Sequence, residues 1–358
     1  MGTKAGVALC VLGLVGCGDD GSSRDTMTPM DFGPGPAVDA FVPPGVDGGP
    51  RPDGFVPGVD MGTVTPPDGG GPTDPGSPAG MGPYTVSQET ASVTGGDVVA
   101  FVPALPAGTT VPLVLFKHGF QLSTSNYATA LEQLASHGFV VVGVNNGGGG
   151  FGGGSTNLEE QNTTIAALDW AIGSAPFASS VDGSKIGVAG HSRGGKVATQ
   201  VAAAESRIGA TLLLDPVNGC GPTAGYSADC PDVTSAAIAG SITAPIGVMG
   251  ETNNASGGFM PCAPADQNYQ TIYAALGSPS WKAEWTFTGA DHMDFTDDGG
   301  GFAGSFCSDG PGDDDQIRRD WRAMMVAFFR QHLKGEAAMG DWLTGDSLPA
   351  GITVVSAP

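Results

Sequence analysis

The run Lys185-Ile186-Gly187-Val188-Ala189, then Gly190-His191-Ser192-Arg193-Gly194, then Lys196-Val197-Ala198-Thr199-Gln200-Val201-Ala202 constrains this chain more than any other feature in it. An apolar β-rich run, a G-x-S-x-G pentapeptide and a helical segment follow one another directly. Glycines two residues to either side of Ser192 let the backbone turn tightly, a helix dipole lies behind the serine, and its oxygen is presented at the edge of a sheet. In a chain with 60 glycines the pentapeptide alone carries little weight, and the strand-turn-helix context gives it meaning. Ser192 is therefore the candidate nucleophile.

A serine needs a base, and the chain has five histidines. His118 ends an early strand, His137 ends a helix, His332 lies on the last helix, and His191 adjoins the nucleophile, where its side chain has to point elsewhere. Only His292 follows the expected final strand, Trp285 to Thr288, in a Gly/Asp-rich loop, which suits the chain order serine, acid, histidine. The oxyanion is expected to meet two backbone N–H groups, that of Arg193 directly after the nucleophile and that of Phe120 in the His118-Gly119-Phe120 turn after the third strand. The acid is open between Glu251, after Ile246-Gly247-Val248-Met249-Gly250, and Asp215, after Thr211-Leu212-Leu213-Leu214. Position alone favours Glu251.

Short apolar runs at Val111–Lys117, Phe139–Asn145, Lys185–Ala189, Ala210–Leu214 and Ile246–Met249 alternate with helical spacing, after two opening strands in Tyr84–Gln88 and Asp97–Pro103. Tyr127, Leu131 and Leu134 share a helix face closed by Gly138, and a last helix carries a stripe from Ile317 through Trp321, Met324, Met325, Phe328 and Phe329 to Leu333. Continuous apolar strands alternating with helices predict an α/β domain with a mostly parallel sheet covered on both faces.

The chain divides into a signal over 1–16, a tether over 17–83 and the α/β domain over 84–358. Lys4, the apolar Ala5–Val15 run and Leu14-Val15-Gly16-Cys17 are too short for a spanning helix. They resemble the lipobox of bacterial lipoproteins, which implies cleavage before Cys17 and lipidation of that cysteine. The tether holds half of the 28 prolines and ten aspartates with few large apolar residues, and reads as a disordered spacer between lipid and domain. Exported, lipid-anchored and monomeric is the resulting expectation. With 14 Lys+Arg against 36 Asp+Glu, a formal charge of −22 excludes nucleic acid as a partner, and membrane contact is expected only through the anchor. Cys220, Cys230, Cys262 and Cys307 remain after export. They allow three pairings, of which proximity favours Cys220 with Cys230 and Cys262 with Cys307. No zinc-ligand spacing occurs, and no cofactor or metal is expected.

Three other motifs read as structural features of the fold. The glycine run Gly147–Gly154 follows a mid-sheet strand and reads as a mobile loop bordering the cleft, not a dinucleotide site. Asp294-Thr296-Asp298-Gly299 lacks the closing Glu of a calcium loop, with Ser305 in its place, and reads as solvated. Trp281 and Trp285 read as core.

The segments Leu113–Gly143, Lys185–Val197, Asp215-Pro216-Val217 and Cys262-Ala263-Pro264 resemble plant chlorophyllases and their bacterial relatives, including cutinase-like polyester hydrolases. His118-Gly119-Phe120, Ala135-Ser136-His137-Gly138-Phe139, Gly190-His191-Ser192-Arg193-Gly194-Gly195 and His292-Met293-Asp294 carry the likeness, over roughly 84–345. It implies an α/β-hydrolase fold and a serine carboxylesterase acting on a small or polymeric ester, with Ser192, Asp215 and His292 as triad. Asp215 is thus preferred over Glu251, helped by Pro216, which stops the strand there. Asn218 departs from the acid usual in chlorophyllases, and Arg193 from the Met usual in polyester hydrolases. The competing reading is a catalytically silent, surface-tethered binding module on the same fold.

Overall fold

All seven residues of Val111–Lys117 are buried, which only a strand covered on both faces can achieve. The computed structural model describes residues 76–146, 154–221, 225–253 and 261–357. The signal, Cys17 and the tether as far as residue 75 lie outside the described residues, as does the glycine run over 147–153. Among the described residues no helix is long and apolar enough to cross a membrane.

Among the described residues nine strands form one sheet: β1 (Val86–Val93), β2 (Gly96–Pro103), β3 (Val111–Lys117), β4 (Val140–Asn146), β5 (Val181–His191), β6 (Ile208–Leu214), β7 (Ile246–Glu251), β8 (Lys282–Phe287) and β9 (Ile352–Ala357). Their order is β1-β2-β4-β3-β5-β6-β7-β8-β9. The six from β4 to β8 run parallel, while β1, β2 and β9 pair antiparallel at the margins. Connecting them are α1 (Ala128–Ser136), α2 (Asn157–Gly173), α3 (Arg193–Ala204), α4 (Tyr269–Ala275), α5 (Gly301–Gly304), α6 (Asp314–Lys334) and α7 (Gly340–Thr344).

The alternation of side chains along each strand splits the core in two. Val114 and Phe116 join Leu131, Leu134 and the α6 residues Trp321, Met324, Phe328 and Phe329 on one face. Leu113 and Leu115 join Leu168, Val197, Val201 and Ile272 on the other. Each large apolar side chain so buried contributes about 1.5–3 kcal/mol, so the two faces are what hold the sheet between its helices. The α6 stripe is buried as its spacing predicts, Asp313 caps its start by accepting from Gln316 N, and Gly335 closes it at φ 73°. Gly138 ends α1 in the same left-handed region, at φ 79°. Trp285 is fully buried with its indole N–H on Leu343 O, and Trp281 packs against it, so both are core.

Two boundaries differ from expectation. The domain begins before Tyr84: Gln133 Nε2 donates to Pro78 O and Gly82 N to Ser136 Oγ, so residues 76–83 lie against α1. The strand after α4 is not the last, because Ile352–Ala357 returns antiparallel to β8. Among the described residues the disulfides are Cys220–Cys230 and Cys262–Cys307, the pairing that proximity favours.

Candidate active site

Parallel strands deliver their C-terminal ends to one edge of the sheet, and β5, β6, β7 and β8 lie side by side there. The sequence provides no linker between β5 and α3, so a single residue must make the turn. Ser192 does so at φ 55°, ψ −124°, a conformation costing a non-glycine residue on the order of 1–3 kcal/mol. The glycines are steric requirements of that turn. A Cβ on Gly190 would stand 2.2 Å from Gly194 O, one on Gly194 2.1 Å from Lys117 O, and one on Gly195 2.7 Å from Pro216 Cβ. Ser192 N donates to Leu214 O, tying the elbow to β6.

One strand over, Asp215 leaves β6 at φ 37°, with its own N–H on Met249 O. Its Oδ2 lies 2.5 Å from His292 Nδ1, and His292 Nε2 lies 2.9 Å from Ser192 Oγ. Three side chains separated by 77 and 100 residues are therefore joined by two hydrogen bonds in series. All are buried, Asp215 completely. Burial pushes the Asp215 carboxyl up, and the hydrogen bond from His292 pulls against it. Glu251 is also buried, at the end of β7, but its Oε2 accepts the backbone N–H of Asn253 instead of meeting the imidazole.

His292 opens a one-turn 3-10 helix, His292–Phe295, that is held on every side. Asp291 Oδ1 accepts from Met293 N, Asp294 Oδ2 from Asp291 N, and the Trp321 indole donates to Asp294 O. The following acids are not a solvated loop. Asp294 is buried, which pushes its carboxyl up to about 6, and Asp297 accepts from Thr129 N at 2.6 Å and pairs with Arg322 at 2.7 Å. Only Asp298 faces solvent. Among the described residues no three His, Cys, Asp or Glu side chains are grouped so as to hold a metal.

The turn after β3 carries Phe120, 59% exposed, with the Arg193 guanidinium 5.9 Å from its ring centre. Arg193 is the first residue of α3, so its N–H has no acceptor within the helix. Below Phe120, His118 Nδ1 lies 2.8 Å from Gly119 O, and its Nε2 lies 2.8 Å from Lys117 Nζ. A carbonyl only accepts and an ammonium only donates, so His118 is neutral with its proton on Nδ1. Burial, then the charge of Lys117, lowers it to about 3. Lys117 is itself fully buried and lowered by that burial to about 8. It pairs with Glu160, whose other oxygen accepts from Arg193 Nε at 3.0 Å. The sequence reading missed Lys117 and Glu160. Lys117 does interrupt an otherwise apolar strand, but nothing local marks Glu160, brought from α2. His191 points away from Ser192, as expected: its Nε2 reaches His292 O at 2.9 Å and its ring lies 4.6 Å from that of His292.

A mostly parallel sheet with helices on both faces and a serine on a strand-to-helix elbow defines the α/β-hydrolase fold. The chlorophyllase family model matches residues 84–352, and the chain belongs to that family. It is 30% identical to chlorophyllase-1 of Arabidopsis thaliana over 253 residues, 64% of this chain and 74% of that protein. It is 26% identical to a bis(hydroxyethyl) terephthalate hydrolase of Streptomyces coelicolor, over 65% of this chain and 71% of that one. Against cutinase 2 of Thermobifida cellulosilytica the identity is 31% over 41% of this chain and 56% of the cutinase. The chain is a carboxylic ester hydrolase, which disfavours the silent binding module.

Proposed function

We propose that the chain hydrolyses carboxylic esters through an acyl-enzyme on Ser192. The observation that carries this is the hydrogen-bond series Ser192 Oγ, His292 Nε2, His292 Nδ1, Asp215 Oδ2. His292 takes the hydroxyl proton as Ser192 Oγ attacks the ester carbonyl. Phe120 N–H and Arg193 N–H receive the oxyanion, and Asp215 holds the imidazole tautomer and balances its charge. Collapse of the tetrahedral intermediate breaks the bond to the alkoxy oxygen, which leaves with the proton from His292. Water then repeats the sequence on the acyl-enzyme, releasing the acid and restoring Ser192. Each proton taken is returned, so the cycle needs no co-reactant beyond water.

The relatives are named for chlorophyll, a terephthalate diester and cutin, which differ in both acid and alcohol. Their shared chemistry is an ester with a bulky apolar portion. Turnover of short to medium acyl aryl esters is expected, with none on peptides and no loss after exhaustive chelation. A screen of p-nitrophenyl esters, bis(hydroxyethyl) terephthalate and polyester films with the purified chain checks this, and inactivity on every ester would end the proposal.

The lipobox-like Leu14-Val15-Gly16-Cys17 supports export and anchoring by lipid on Cys17, with the domain facing the periplasm or the cell exterior. Cys17→Ser is expected to move the protein from the membrane fraction to the soluble one with esterase activity intact, and unchanged fractionation would refute the anchor.

A further inference from the structure

Tyr127 and His191 are fully buried beside the elbow, and neither takes part in the chemistry described above. Tyr127 Oη lies 3.1 Å from Gly119 N and 2.7 Å from His191 Nδ1. His191 Nε2 lies 2.9 Å from the carbonyl oxygen of His292. Donor chemistry orients this series completely. The Gly119 N–H can only donate, so the phenol oxygen accepts it and the one phenol proton is directed to His191 Nδ1. The His292 carbonyl can only accept, so the His191 proton sits on Nε2 and Nδ1 is bare. Every polar atom is used once, in a site where an unmade bond would be costly. Burial agrees with both assignments: it lowers His191 well below the usual histidine range and raises Tyr127 above the usual phenol range.

Steric fit points to the same chain. A Cβ on Gly119 would stand 3.1 Å from His191 Nδ1 and 3.3 Å from Tyr127 Oη, so the absence of a side chain at 119 lets the loop close on the pair. The other polar group of Gly119, its carbonyl, is held by His118 Nδ1. Both ends of residue 119 are thus fixed, and Phe120 N–H is the next donor along.

We infer that Tyr127 and His191 are positioning residues, a two-side-chain relay that locks the oxyanion loop after β3 to the backbone of the base after β8. This rests on the reading of Phe120 and His292 as catalytic groups. The relay spans segments 8, 64 and 101 residues apart and crosses the elbow that bears the nucleophile. The oxyanion donor and the base are then registered to each other through Tyr127 and His191, and not only through the sheet.

Tyr127→Phe keeps the ring and its contact with Phe116 while deleting the hydroxyl. Leaving two buried partners unpaired is expected to lower kcat by roughly tenfold to a hundredfold, with KM changed by less than about twofold. Since either substitution opens the same chain, Tyr127→Phe with His191→Phe should be no slower than the slower single variant. Multiplied losses, or a loss confined to KM, would overturn the relay. Imidazole ¹⁵N spectra of the wild-type chain supply a reading independent of activity. His191 should appear as the Nε2–H tautomer with a hydrogen-bonded Nδ1, and an Nδ1–H tautomer would overturn the inference even if the variants fail to fold. Were the esterase reading wrong instead, the wild type would lack ester turnover while this spectrum stayed as described.

Discussion

Asp215→Asn is expected to lower kcat by roughly 10⁴, whereas Glu251→Gln should change it by less than about tenfold. Both acids are buried at the ends of adjacent strands, so exposure does not separate them. Hydrogen bonding does. The imidazole Nδ1 meets Asp215 Oδ2, and an asparagine there offers an amide that stabilises the wrong tautomer and carries no charge to balance an imidazolium. Glu251 accepts from Asn253 N, a role a glutamine oxygen repeats. Steady-state kinetics of both variants on one aryl ester decide the matter, and the reverse ranking would remove Asp215 from the triad.

Gly194→Ala should be nearly as damaging, for a steric reason. The added Cβ would stand 2.1 Å from Lys117 O and 2.5 Å from His118 O. Both are backbone atoms, so no rotamer change relieves the clash, and either the start of α3 or the end of β3 has to move. Those two segments carry the Arg193 and Phe120 N–H groups proposed to receive the oxyanion, and displacing one such donor costs about 10²–10³ in kcat. Overpacking of this kind also costs about 1–3 kcal/mol of stability. Gly173→Ala is the control, because nothing lies within 4 Å of the Cβ it would add at the end of α2. Its kcat should match the wild type and its melting temperature should equal or exceed it. Equal behaviour of the two variants would contradict the packing of the elbow against the turn after β3.

The elbow and the acid differ in how much of each can be read before folding. The elbow is local: a strand, a pentapeptide and a helix in direct succession, with glycines at 190, where the elbow's own Gly194 crowds in, and at 194, where the backbone after β3 does. His292 is nearly as legible, because a loop after a late strand is where chain order demands the base. The acid is not. Glu251 and Asp215 both end apolar strands, and which of them reaches the imidazole is decided by the backbone at Asp215, φ 37°, and by Pro216 after it, so a family likeness was needed to choose between them. The polar cluster beside the turn after β3 is further from view. Lys117 stands out in its strand, but Glu160 comes from α2, 43 residues along, and Tyr127 and His191 read as an amphipathic helix face and a residue beside the nucleophile. The final strand was overlooked although Ile352-Thr353-Val354-Val355 is β-branched throughout, because an edge strand beyond the last long helix has no flanking pattern to draw attention to it.

Active-site labelling with a fluorophosphonate, mapped by mass spectrometry on the wild type and on Ser192→Ala and His292→Ala, is the most direct test of the esterase mechanism. A single adduct on the peptide carrying Ser192, with ester turnover lost in proportion and neither variant labelled, is the predicted result. An adduct on another residue, or hydrolysis that persists after stoichiometric labelling, would contradict it.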